Sequence, residues 1–209
     1  MKHYPKIKDS KHCPMEKGIA FEKYDGTNFH WDWDAELGWY AFGTRSDSFT
    51  LNPAGIAEFE KAHPKLKGVA DLFDRTLSGP MSAMARSLES CVLFTEYFGP
   101  NSFAGRHKKV DEKRLVVIDI RLGKEIIGPY EFIEITNNFK EYVARIVFQG
   151  KITGKFLDDV RQGKYKVNEG VVCKGGKTGS VWMAKVKTYA YMKRLKEAFA
   201  ADWERYWEN

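Results

Sequence analysis

Hydrophobic and polar positions repeat with two periods along this chain, and the changes of period mark out its elements. Gly18 to Lys23 (Gly-Ile-Ala-Phe-Glu-Lys) is apolar enough for a strand that ends on Lys23. From Asn28 to Trp33, Phe29, Trp31 and Trp33 alternate with His30, Asp32 and Asp34, and the run Gly38 to Gly43 can pair with it as a hairpin. The period then changes. Asn52-Pro53 opens a helix through Ile56 and Phe59, and the spacing predicts two short helices over Leu66–Leu77 and Pro80–Leu88. Strands follow at Ser90–Phe98 and at Leu115–Arg121, where Leu-Val-Val-Ile-Asp-Ile is β-rich. Pro129–Phe139 reads as a helix, Tyr142–Gln149 as a strand, and Thr153 as the cap of a helix through Val160. Gly170–Lys174 and Ser180–Lys187 read as strands joined by a turn on Gly175, Gly176 and Gly179. In the tail, Tyr191, Leu195, Phe199, Trp203 and Tyr206 recur at spacings of three and four, which predicts an amphipathic helix from Tyr189 to Trp207.

Strands and helices do not alternate regularly in this order, which predicts an α+β fold with antiparallel sheets and flanking helices. No Pro/Gly/Ser-rich linker divides the 209 residues, so the pattern reads as one domain over residues 1–209. Residues 1–17 form an irregular, basic lead-in, and 188–209 the terminal helix. Apolar residues make up 43% of the chain, enough for a substantial core, so disorder is not expected.

Charge narrows the partners. The net charge of +6 suits a polyanion such as nucleotide or nucleic acid, although ordinary surface charge reads equally well at this size. Cys13, Cys91 and Cys173 are odd in number and lack metal-ligand spacing, so they read as free thiols in a reducing, cytoplasmic compartment. The polar start has no apolar core of a secretory signal, and no stretch approaches a membrane span, so no membrane partner is expected.

The candidate chemistry begins at Lys23-Tyr24-Asp25-Gly26-Thr27-Asn28. A lysine is a poor nucleophile at neutral pH, because its ordinary pKa is about 10.4. Nearby cations and partial burial can change that. Lys185 and Lys187 are one residue apart on a strand, so both face one side and can neutralise phosphate. A Lys-x-Lys pair is also a common solvated strand face. Asp25-Gly26 suits a close backbone approach by a ligand, or a plain turn. Glu96 and Glu169 stand in apolar strand runs, where a carboxylate needs a partner. One suits ribose hydroxyls and the other a Mg²⁺ ion on phosphates, while each alone also reads as a strand-edge glutamate facing water. Arg45, in Gly43-Thr44-Arg45-Ser46, can grip phosphate or ribose, or stand as an exposed turn arginine.

From about Ile19 to Lys187 these segments resemble the covalent nucleotidyltransferases, the polynucleotide ligases and mRNA capping enzymes. Gly26-Thr27-Asn28-Phe29, Glu96-Tyr97-Phe98-Gly99-Pro100 and Glu169-Gly170-Val171-Val172-Cys173-Lys174 are similar to the RNA ligase branch that seals breaks in duplex RNA, which includes phage enzymes and RNA-editing ligases. The resemblance implies an ATP-dependent RNA ligase with a nucleotidyltransferase domain. Lys23 would become lysyl-AMP. Glu22 would lie at adenine through its backbone, Asp25 and Gly26 would complete the lysine motif, and Asn28 and Arg45 would contact the nucleotide or RNA 5′-phosphate. Glu96 would bind ribose, Glu169 would support Mg²⁺ (or Mn²⁺), and Lys174, Lys185 and Lys187 would hold phosphates. Two departures stand out: close members often carry histidine where Asp25 stands, and an aromatic where Ile118 precedes Asp119. The short stretch after Lys187 leaves no room for an OB-fold or helical second domain, so a partner protein is expected in its place. A DNA ligase, a capping guanylyltransferase and a non-catalytic RNA-binding module remain as alternatives. Asn28, where DNA ligases and capping enzymes commonly have arginine, argues against the first two.

Overall fold

The structure is a computed structural model that describes residues 4–206. Its residues group into two compact units. Of the described residues, one unit comprises 4–5, 26–127 and 132–143; the other comprises 6–25, 128–131 and 144–206.

The first unit is built on a six-stranded antiparallel sheet. Its strands are β3 (Thr27–Asp34), β4 (Gly38–Thr44), β5 (Phe49–Thr50), β6 (Ser90–Phe98), β7 (Arg114–Leu122) and β8 (Glu125–Ile126), in the order β5-β4-β3-β6-β7-β8. Alternation in β3 sends Phe29 and Trp31 to one face and Asn28, His30 and Asp32 to the other. The apolar face packs on α1 (Pro53–Ala62) and on the helical run that follows it. Trp31 and Phe73 stack with ring centroids 3.8 Å apart, and the Trp31 indole N–H donates to Thr95 Oγ1 at 2.9 Å, so its one polar atom is satisfied in the core.

Asn52 caps α1 by accepting from the Gly55 N–H, with Pro53 in the first turn, as the pattern predicts. The two helices expected over Leu66–Leu77 and Pro80–Leu88 are instead one continuous run. It consists of α2 (Val69–Phe73), a π-helical turn (Asp74–Ser78) and α3 (Gly79–Ala85). Proline reads in sequence as a boundary because it lacks an N–H and crowds the preceding turn. Here the wider π turn immediately precedes it, and the backbone stays helical through Ser78 and Gly79.

The second unit carries a five-stranded sheet of β1 (Lys8–Asp9), β2 (Lys17–Lys23), β9 (Ile146–Lys151), β10 (Gly170–Gly175) and β11 (Trp182–Lys187), in the order β1-β11-β10-β2-β9. Only the β1–β11 pair is parallel. The lead-in is therefore less irregular than its sequence suggests: β1 adds an edge strand, and a 3-10 turn follows at Ser10–His12. Ala20, Val171, Cys173, Ala184 and Val186 form one face and pack against Phe156, Leu157 and Val160 of α5 (Gly154–Arg161). Thr153 caps α5 by accepting from the Phe156 N–H.

Three other expectations shift. Helix α4 (Pro129–Ile135) ends earlier than predicted and gives way to a 3-10 turn at Asn137–Tyr142. The Thr136 hydroxyl donates back to the Phe132 carbonyl at 2.6 Å, and Phe139 leaves helical geometry. The strand expected from Tyr142 begins only at Ile146, where pairing with β2 starts. The terminal helix is α-helical as α6 (Tyr189–Phe199), and then tightens to a 3-10 turn at Ala200–Tyr206 across a left-handed Ala200 (φ 42°). Tyr191 and Leu195 are buried, whereas Phe199 and Trp203 are only half-buried; Trp207 lies outside the described residues. The three cysteines are buried free thiols. Among the described residues, no helix is long and apolar enough to cross a membrane.

Candidate active site

Strand register in the second unit collects four lysines on the sheet face opposite α5. Lys23, the last residue of β2, pairs with Gly170, and Gly170 pairs with Lys187 on β11. The next row is Phe21, Val172 and Lys185; the third is Ile19, Lys174 and Met183. Period-two alternation in all three strands therefore points Lys23, Lys174, Lys185 and Lys187 the same way. Lys174 is 3% exposed, with its Nζ 5.0 Å from the centroid of the Phe21 ring. Glycine is required between Lys23 and Lys187, because a Cβ at Gly170 would lie 1.9 Å from the Val186 carbonyl oxygen.

Glu169 stands just before this row. Its Oε1 is 2.9 Å from Lys23 Nζ and 3.4 Å from Lys187 Nζ. The carboxylate is buried, so two ammonium groups on one oxygen offset its desolvation and leave a positive surplus beside it. Burial holds the Lys187 ammonium below its ordinary pKa; Glu169 opposes this and the Lys23 charge adds to it. Glu169 Oε2 has no hydrogen-bond partner among the described residues. That orphaned acceptor fits a hydrated divalent cation. Among the described residues, no cluster of three or more His, Cys, Asp or Glu side chains could form a closed metal site. The donor set therefore suits an ion held by one protein carboxylate and by substrate oxygens.

Glu22 lies on the other face of β2. Its carboxylate accepts from Arg145 Nε at 2.8 Å, and its N–H donates to the Arg145 carbonyl at 2.8 Å. The side chain thus points away from Lys23. Asp25, half-buried, ends this segment and adds a negative charge felt at Lys187.

The remaining candidates belong to the first unit. A Cβ on Gly26 would lie 2.2 Å from the Tyr97 carbonyl oxygen, so close packing on β6 explains this glycine without any ligand. Asn28 pairs with Glu96, and Glu96 with Val116. Asn28 Nδ2 donates to the Thr95 carbonyl at 3.3 Å. The β6–β7 register slips beside Phe94, which pairs with Asp119 and leaves Ile118 as the extra residue. Such a bulge re-aims side chains. Arg45 is exposed just beyond β4 and donates to the Pro5 carbonyl at 3.5 Å.

Sequence reasoning missed Tyr4. Its hydroxyl donates to Asp119 Oδ2, and its ring lies 5.0 Å from that of Phe94. Burial, followed by the Asp119 charge and hydrogen bond, raises the phenol well above 10, with Glu96 adding and Arg45 opposing. Tyr4, Asp119, Glu96 and Arg45 thus form one electrostatic cluster. A lone aromatic in a polar lead-in carries no periodic signal, so no pattern could have found it. Arg145 was missed because its partner Glu22 is 123 positions away, a contact with no local signal.

No family model matches the sequence, and no curated protein sequence matches it. Solved structures do resemble it. An archaeal ATP-dependent RNA ligase superposes with a TM-score of 0.65 at 16% identity, over 96% of this chain and 52% of its own. The chain shares its fold with ATP-dependent RNA ligases. A variant RNA ligase of Naegleria gruberi, solved with AMP and Mn, gives 0.65 at 14% identity over 93% of this chain and 58% of its own. A protein of Aquifex aeolicus described as a candidate ATP-dependent DNA ligase gives 0.62 at 17% identity, over 98% and 56%. The mixed α+β architecture with antiparallel sheets, which the residue pattern predicts, is thus shared with these ligases, whose nucleotidyltransferase fold the resemblance implies. This chain spans little more than half the length of each of these neighbours.

Proposed function

We propose that this chain is the nucleotidyltransferase part of an ATP-dependent RNA ligase of the branch that seals breaks in duplex RNA. The observation that carries the reading is the lysine nucleophile position: Lys23 sits 2.9 Å from Glu169, on a sheet face shared with three further lysines. Likeness of fold to RNA ligases supports it.

Three steps follow. Lys23 Nζ attacks the α-phosphorus of ATP, a P–N bond forms and pyrophosphate leaves. The amine must shed a proton to do so, and Glu169 Oε1 lies within hydrogen-bond reach. The AMP group then passes to an RNA 5′-phosphate, which frees Lys23 and leaves a 5′-5′ adenylylated end. A 3′-hydroxyl attacks that end, closes the phosphodiester bond and releases AMP. Charge stays on phosphate oxygens throughout, so fixed cations contribute most of the stabilisation. Lys174, Lys185 and Lys187 hold the phosphates. Glu22 meets adenine through its backbone, Glu96 the ribose, and Asn28 and Arg45 the nucleotide or the RNA 5′-phosphate. Ile118 replaces an aromatic stacking partner with aliphatic contact. Mg²⁺, or Mn²⁺, held by Glu169 and the phosphates, supplies charge neutralisation when bound.

DNA sealing is the second reading, favoured by the Aquifex neighbour. A sealing panel separates the two: nicked duplex RNA, nicked RNA–DNA hybrid, single-stranded RNA and nicked duplex DNA, each with ATP or GTP. Ligation of nicked RNA with ATP is expected. Sealing of DNA alone, or use of GTP, overturns the assignment. The chain spans about half the length of the ligases it resembles, so RNA grip is proposed to draw on a further domain or partner as well.

A further inference from the structure

The loop from Gly99 to Lys113, between β6 and β7, is a basic stretch of the first unit. With the adjoining Arg114 it holds five cationic side chains (Arg106, Lys108, Lys109, Lys113, Arg114) against Asp111 and Glu112, half of the net charge of the whole chain. A basic run is usually a solvated surface that any polyanion can visit. Three features of this loop set it apart.

The loop is built. Asp111, its side chain 2% exposed, accepts from the Asn101 amide at 2.7 Å, from the Asn101 N–H at 3.2 Å and from Lys113 Nζ at 3.3 Å, which closes its base. Phe103 and Arg106 exchange backbone hydrogen bonds across Ala104 (φ 50°) and Gly105 (φ 71°), the left-handed pair of a tight hairpin turn. The charges are also sorted. Asp111 and Lys113 pair in the base, while Arg106, Lys108, Lys109 and Arg114 are exposed with Glu112 as the one exposed acid among them. Finally, the loop is tied to the lysine motif. His107 Nε2 lies 2.8 Å from Thr27 Oγ1 with its ring 5.0 Å from that of Tyr97, and a Cβ at Gly105 would sit 3.8 Å from the Gly26 carbonyl oxygen. Thr27 is four residues beyond Lys23, so the covalent chain alone keeps their Cα atoms within about 14 Å.

We infer that the Gly99–Lys113 loop is a docking element for the phosphate backbone of the RNA being joined, with Lys108 and Lys109 as its main phosphate contacts. RNA as the polyanion rests on the function proposed above; the loop's shape, sorting and attachment do not. A cationic turn packed on Gly26 and Thr27 is tied to the same short segment that carries the reacting amine, which a basic tail elsewhere in the chain is not. Backbone contacts position a nucleic acid without reading its sequence.

The test uses Lys108→Gln/Lys109→Gln, which removes charge without adding repulsion, beside Lys108→Glu/Lys109→Glu. Binding to a nicked RNA duplex is followed by fluorescence anisotropy over a salt series, and AMP transfer from ATP to the protein is measured on the same samples. The glutamine pair is expected to weaken RNA binding about tenfold at moderate salt and to reduce the slope of log affinity against log salt by roughly two, with protein adenylylation unchanged. Wild-type affinity and slope in the glutamine pair overturn the inference, whatever the ATP result. Weakened RNA binding in a protein that never takes up AMP instead sinks the enzymatic reading and leaves the docking loop standing. An equal loss against an acidic peptide of matched charge, with no preference for RNA, would mark a protein-binding surface and contradict it.

Discussion

Lys23 Nζ lies 2.9 Å from Oε1 of Glu169, a carboxylate whose side chain is 3% exposed. The pair joins the end of one strand to the residue before another, and it makes Glu169 the counter-charge for both Lys23 and the buried Lys187. Glu169→Gln keeps the shape and removes the charge. It leaves the Lys187 ammonium buried without its carboxylate, so stability is expected to fall by roughly 3 kcal/mol. AMP uptake is expected to fall at least tenfold. Urea unfolding and an adenylylation time course check the two effects; a variant as stable as wild type contradicts the assigned pairing.

Part of this site is readable in the sequence. Alternation alone puts Lys185 and Lys187 on one face, and it separates Phe29 and Trp31 from His30 and Asp32. That Lys23 joins the same face depends on register across three strands, with Gly170 between the lysines, and register is set by tertiary pairing. Sequence alone leaves the role of Glu169 open between ribose binding, metal support and a solvent-facing strand edge; its ion pair with Lys23 spans 146 positions and leaves no local mark. Pro80 misled because proline usually ends a helix, and a π turn absorbs it here. Tyr4 was invisible, since one aromatic among polar residues has no period.

Lys187 supplies a pH test. Its ammonium is held below the ordinary value of 10.5, chiefly by burial. Between that lowered value and 10.5 the unfolded chain binds more protons than the fold, so this group makes stability rise with pH in that window. Lys187→Met removes the contribution. The wild-type-minus-variant difference in urea unfolding free energy is expected to climb toward pH 10.5 and to be flat below the window. A difference that falls with pH across the window contradicts the burial account.

Gly170→Ala tests the packing between the two lysines. The added Cβ meets the Val186 carbonyl at 1.9 Å, so β10 and β11 must part locally. A loss of about 1–3 kcal/mol is expected, with a larger proportional loss of AMP uptake, because the displaced strand end carries Lys187. Thermal unfolding beside adenylylation separates the two; unchanged behaviour in both contradicts the register.

Tyr4→Phe tests the lead-in. The phenol donates to the buried Asp119 carboxylate, and a hydrogen bond to a charged group contributes about 1.5–3 kcal/mol. Because the phenol's pKa is raised in the fold, the contribution is present below 10 and is lost as pH rises through the raised value. Urea unfolding at neutral pH is expected to show the loss. Equal stability of variant and wild type contradicts the contact.

The most direct measurement is the mass of the protein after incubation with ATP and Mg²⁺, followed by peptide mapping of any adduct. One AMP on the peptide that contains Lys23, absent from Lys23→Ala, is expected. No adduct, or an adduct that persists in Lys23→Ala, contradicts the assignment of Lys23 as the nucleophile.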